Sequence, residues 1–126
     1  MTSVDLSTLS IDQLLARFVE LCLDDEQAHD LAKVSVSNRL VYEISDVKKE
    51  LQKRPGDQRS ALIALFKHPN LYVRYHVATN LMSVMPEEAR RQMQAIADSK
   101  QYPIAGSAGT YLLMLDLAAK DAEASK

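Results

Sequence analysis

Tryptophan is absent from this 126-residue chain, cysteine occurs once, at Cys22, and glycine only three times. A single cysteine excludes an internal disulfide framework and any zinc site built from several cysteines. It also fits a reducing, cytoplasmic compartment. The three glycines, Gly56, Gly106 and Gly109, form no phosphate-cradling loop. No apolar run approaches the ~20 residues that cross a bilayer, so no membrane span is expected. The leading residues, Met1 to Asp5, hold neither a basic n-region nor an apolar h-region, and no secretory signal is expected. Strict apolar/polar alternation, the mark of a half-buried strand, is also missing.

What remains is the balance of a globular protein, 47% apolar and 25% charged. The length suits one domain, residues 1–126, with a core expected over about 8–120. The net charge of -2 argues against strong attraction to nucleic acid or a membrane surface. Its distribution is uneven. Residues 1–30 hold seven acids against one base, residues 31–100 twelve bases against seven acids, and residues 101–126 three acids against two bases. An acidic end and a basic middle are expected.

The prolines, Pro55, Pro69, Pro86 and Pro103, fall between segments of helical periodicity. They punctuate an all-α chain of about six helices. Ser10 and Gln13 have capping-box spacing, and Leu9 and Leu14 that of a hydrophobic staple. Ile11, Leu14, Leu15, Phe18, Leu21 and Cys22 then make one apolar stripe, predicting a helix over about 11–28. A second helix has Leu40, Ile44, Val47 and Leu51 as its core face, with Ser35, Ser37 and Asn38 diluting its start, and stops at Pro55-Gly56. Asp57 caps a third, with Leu62, Ile63 and Phe66 inward. Asn70 caps a fourth, with Val73, Val77, Ala78, Leu81 and Met85 inward. Pro86 opens a fifth, with Glu87 and Glu88 complementing its dipole and Ala89, Met93, Ile96 and Ala97 inward. A sixth begins near Pro103 and buries Ile104, Ala108, Leu112, Leu115 and Ala119, fraying from about Asp121.

The segment from His68 to Leu81 carries Pro69, Val73-Arg74, Ala78 and Leu81 at spacings that resemble the first helix of a HEAT repeat. Pro86-Glu87-Glu88-Ala89, continued by Met93, Ile96, Ala97 and Asp98, resembles the second, so one repeat spans about 69–98. The whole chain is similar to a small bacterial family of HEAT/ARM-like proteins. The likeness lies in Leu14 to Phe18, Asn38 to Tyr42, the His68-Pro69-Asn70 turn and Pro103 to Gly106. It implies a short right-handed HEAT-like α-solenoid, in which Arg74 bridges neighbouring helices. In size and fold the chain also resembles some immunity proteins of bacterial toxin systems.

Candidate chemistry is thin. Glu26 and His29 have the Glu-x-x-His spacing of di-iron bundles, and Asp25 and His29 stand at i, i+4, but one copy of the motif is half a site. The commoner reading is an acidic helix end with His29 complementing the C-terminal dipole, and no metal or cofactor is expected. Cys22 lies on the apolar stripe among acids, which predicts a buried, unreactive thiol. Tyr72, His76, Thr79 and Ser83 follow helical spacing on the polar side of the fourth helix, a face suited to a partner. Arg59 and Lys67 on the third helix, with Arg90, Arg91 and Gln94 on the fifth, occupy the helices that line the concave side of a solenoid. Stacked, they would form a cationic inner face.

These features point to a non-enzymatic protein-binding scaffold, in its most concrete form an immunity protein that neutralises a cognate bacterial toxin by direct binding. The alternatives are a nucleic-acid-binding helical repeat, opposed by the net charge, and a small-molecule enzyme with an unrecognised site, which requires a deep polar pocket.

Overall fold

Ser10 closes the first helix as its spacing predicts. Its Oγ accepts from the Gln13 amide at 3.1 Å, and the Gln13 side chain accepts from the Ser10 amide at 2.8 Å. The computed structural model describes residues 5–125. The expectation about a leader at Met1 to Val4 lies outside them. From the cap, α1 runs Ile11–Asp30 and buries Leu14, Phe18, Leu21 and Cys22, followed by Asp25 and Ala28. Three residues link it to α2, Val34–Lys53, an αα-hairpin. Ala32 takes the left-handed position of the link, at φ 56°. Helix α2 buries Leu40, Ile44, Val47 and Leu51, and of the polar residues that dilute its start, Ser37 is inside the core.

The hairpin's far end is fastened by Arg54. Its Nη2 donates to the carbonyls of Leu6 and Leu9 at 3.0 and 2.8 Å, while its Nε donates to Glu50 at 2.7 Å. This draws the short 3₁₀ turn Leu6–Thr8 onto the end of α2.

The third expected helix is present but is 3₁₀ throughout, Gln58–Lys67. One expected core residue is corrected: Ile63 is 37% exposed. In a 3₁₀ helix side chains three apart line up, so Leu62 stands over Leu65 and Ile63 over Phe66. Of the second pair only Phe66 is buried, a difference the pitch does not explain.

Asn70 caps α3, Leu71–Leu81, by accepting from the amides of Tyr72 and Val73. It also donates from Nδ2 to Glu26 of α1 at 2.9 Å. This helix is surrounded: it packs on α1, on α2, on the 3₁₀ helix, on α4 (Pro86–Asp98) and on α5 (Ile104–Ala124). Six of its eleven residues are therefore buried, Tyr72, Val73, His76, Val77, Ala78 and Leu81. Helix α4 buries Ala89, Met93 and Ile96, and α5 buries Ile104, Ala105, Ala108 and Leu112. Of the expected sixth-helix residues, Leu115 is half-buried and Ala119 exposed, and the helix continues past Asp121. One cluster of buried side chains runs without a break from Leu14 to Leu112. Among the described residues every regular element is helical, and no helix is long and apolar enough to cross a membrane.

Candidate functional site

The 4,3,4,3 spacing of Leu14, Phe18, Leu21, Asp25 and Ala28 puts a carboxylate on the buried stripe of α1. The 3,4,3,4 spacing of Ser37, Leu40, Ile44, Val47 and Leu51 puts a hydroxyl on that of α2. The two meet. Ser37 Oγ donates to Asp25 Oδ1 at 2.5 Å, and His76 of α3 donates from Nε2 to Asp25 Oδ2 at 2.8 Å. His29 Nε2 lies 3.1 Å from Ser37 Oγ and 3.6 Å from Asp25 Oδ1. Asp25, Ser37 and His76 are buried, while the His29 side chain is half-exposed.

The wiring decides what this group can do. Serine has one proton, and the short bond commits it to the carboxylate. His29 must then carry its proton on Nε2 and donate to Ser37, so no base is aimed at the hydroxyl. A serine nucleophile needs the reverse order, imidazole accepting from serine and carboxylate holding imidazole. What the residues build is a fully bonded buried carboxylate joining α1, α2 and α3. Burial pushes the Asp25 carboxyl up. The hydrogen bonds from His76 and Ser37, with the charge of the two imidazoles, outweigh burial and hold it below the ordinary aspartate range. As for a metal, no group of three His, Cys, Asp or Glu side chains among the described residues is placed to hold one. Cys22 is wholly buried, and burial, reinforced by Asp25, drives its thiol strongly upward.

The aromatic face expected on α3 is internal. Tyr72 and His76 are 7% and 6% exposed, because the α3 side they occupy packs on α1, where His76 meets Asp25 and the Tyr72 ring lies tilted against His29 at 5.8 Å. Treating His76 as polar, and so outward, overlooked that a partner acid in α1 makes it a core residue. The Arg74 Nε, expected to bridge neighbouring helices, is buried with no hydrogen-bond partner among the described residues. The interhelical tie falls to Asp25 and His76 instead.

The expected cationic face is largely neutralised. Arg59 is held by Asp57 at 2.6 Å, Arg90 by Asp116 of α5 at 3.1 Å, and Arg91 by Glu88. Gln94 donates to Asp98 at 3.0 Å, and Lys67 is exposed. The 3₁₀ helix packs mainly on α3, and α4 on α5 and α3, so the two basic groups do not merge into one stacked surface.

A surface that periodicity pointed to, and that was passed over, is the outside of α5. From Pro103 to Leu115 the chain has no charged residue. Opposite the buried side stand Gly106, Thr110, Leu113, Met114 and Leu117, all exposed, with Leu113 at 57%, Met114 at 60% and Leu117 at 45%. Tyr102, 72% exposed, lies where a Cβ on Gly106 would come within 3.6 Å of its ring. Beside this stripe an open groove of about 570 Å³ is lined by Tyr75, Ser107, Thr110, Tyr111 and Met114, with Gly106 at its edge. Tyr75 and Tyr111 meet edge to face at 6.4 Å. Burial first, then Tyr111 and Asp25, raises the Tyr75 phenol, and burial raises that of Tyr111, so both stay protonated donors.

Residues 12–116 match the family model described as "Domain of unknown function (DUF2019)". A similar solved structure is that of the protein RPA1889 from Rhodopseudomonas palustris CGA009. It is 38% identical over 90% of this chain and 94% of that one, with a TM-score of 0.83. No curated protein matches the chain.

Proposed function

Since the chain belongs to the DUF2019 family across nearly all its helices, we propose that this helical unit is a non-enzymatic protein-binding scaffold whose contact surface is the outer face of α5. The observation that carries this reading is α5 itself. A helix that carries no charge on any side over its first three turns, as is true of α5 up to Leu115, is ordinarily covered on more than one side. Helix α5 is covered by α3 and α4 on one side only, and Leu113, Met114 and Leu117 face solvent on the other. Clustered exposed apolar side chains of this kind mark protein contact surfaces. The Asp25 node supports a non-enzymatic role, since Ser37 has its proton committed to a carboxylate.

The narrower form, an immunity protein neutralising a bacterial toxin, draws on the small helical-repeat resemblance and on a cytoplasmic setting consistent with one free, buried cysteine. Its scaffold would be a short right-handed HEAT-like stack. In that form Arg59, Lys67, Arg90, Arg91 and Gln94 remain the polar residues offered to a partner, with the three arginines already ion-paired within the chain. Nucleic acid is the weaker choice, because the exposed α5 stripe carries no base from Pro103 to Leu115.

Photocrosslinking in living cells tests the scaffold. A benzophenone side chain in place of Met114 should give a discrete protein adduct, and the same group in place of Lys49, exposed on α2, should not. Absence of an adduct at Met114 would reject α5 as the contact face.

A further inference from the structure

The identity of what covers α5 follows from the helix's own asymmetry, and this step rests on the α5 reading above. We infer that the face is a two-fold interface with a second copy of this chain, the two α5 helices packing antiparallel about a dyad near Leu113 and Met114.

Three features of the stripe argue for self-pairing. The first is shape. Along the outward line the residues are small at the N-terminal half, Gly106 and Thr110, and bulky from Leu113 to Leu117. A dyad between Leu113 and Met114 sets Leu117 of one copy over Thr110 of the other, twice. Bulky side chains then enter the space left by small ones, which lets helices approach closely. Parallel packing would set bulk against bulk.

Charge is the second feature. The first turn of α5 has no acid and no side-chain cap, and Lys100 lies just before it. The other end carries Asp121 and Glu123 against one base, Lys120, all exposed, which leaves it acidic by one charge over residues 119–125. Antiparallel packing lays this acidic end beside the positive dipole end and Lys100 of the second copy. Parallel packing would align like with like.

The third feature is the uncharged centre. Asp116 is the one charged residue from Pro103 to Ala119, and it is turned aside to Arg90 of α4. The dyad region therefore meets no buried charge. A foreign partner would need to reproduce this shape and charge order. A second copy supplies both by symmetry.

Sedimentation equilibrium of the purified chain should report twice its 14.1 kDa mass. Met114→Glu, with its helical circular dichroism retained, should weaken the dimer at least about a hundredfold, since two carboxylates would face each other at the dyad. Independently of that variant's folding, Met114→Cys in a Cys22→Ser background should oxidise to a covalent dimer. Tyr42→Cys, on exposed α2, should not. A monomer at about 100 μM, or equal crosslinking at both positions, would overturn the inference. A monomer that still crosslinks to a foreign protein through Met114 in cells would overturn the second copy while leaving α5 a binding face. A monomer with no adduct would remove both readings.

Discussion

His76 and Asp25, 51 residues apart in sequence, are joined by a 2.8 Å hydrogen bond inside the core. With Ser37, they replace apolar contacts at the point where α1, α2 and α3 meet. A bonded buried polar group contributes modestly to stability, but removal of one member exposes the desolvation cost of the others.

Asp25→Asn should therefore cost about 1–3 kcal/mol at neutral pH, because an amide cannot accept from both Ser37 and His76 as the carboxylate does. The pH dependence has a definite sign. The carboxyl is held below its ordinary value of 3.8 in the folded state, so its contribution is complete above that pH and is lost as pH falls through the lower folded value. Acid titrations of stability should show wild type losing its advantage over Asp25→Asn below about pH 4. A constant difference between the two down to acid unfolding would contradict the assignment.

Much of this arrangement was legible in the sequence. The capping box at Ser10, the Asn70 cap and the Pro86 start are local chemistry, and each helix began where its signal stood. The polar core was harder. Ser37 and Asp25 sit in register with apolar neighbours, yet polarity alone suggests an outward side chain. Only the meeting of two helices makes them partners. Pitch was harder still: nothing in Gln58 to Lys67 distinguishes a 3₁₀ from an α-helix. The outer stripe of α5 was visible as an uncharged run, but matching one face to the core left the opposite face unread.

Leu81 is wholly buried at the end of α3, within the core that α3 shares with its neighbours. Leu81→Ala should destabilise by about 2–5 kcal/mol through lost burial and the cavity left behind. Urea denaturation measures this directly. A loss under about 1 kcal/mol would mean that the surroundings collapse onto the vacated site.

Ala32 and Lys100 hold left-handed backbone, at φ 56° and 60°, just after α1 and α4. Glycine adopts that conformation without the Cβ clash that costs other residues roughly 1–2 kcal/mol. Ala32 is exposed, so its replacement disturbs no packing. Ala32→Gly should stabilise by about 0.5–1 kcal/mol after the extra freedom of the unfolded chain is counted. A raised melting temperature is the expected reading, and a lowered one would show that unfolded-state entropy dominates at this link.

Arg54 offers the most local test of how the N-terminal segment is held. The turn Leu6–Thr8 buries no residue completely, so packing alone holds it weakly. Its attachment depends on one guanidinium donating to two carbonyls, those of Leu6 and Leu9, while Glu50 fixes the same group from the other side. A planar fork can satisfy all three acceptors at once, whereas an ammonium is a point donor on a flexible stem. Arg54→Lys should therefore fail to restore what Arg54→Ala loses. Hydrogen exchange should rise about tenfold or more at the Thr8 and Leu9 amides, which bond back to Asp5 and Leu6. Amides at the centre of α3, the helix that the others surround, should keep their protection. Equal acceleration in both places would mean that Arg54 supports the whole fold, and unchanged exchange at Thr8 and Leu9 would mean that Leu6 and Leu9 hold the turn by packing alone.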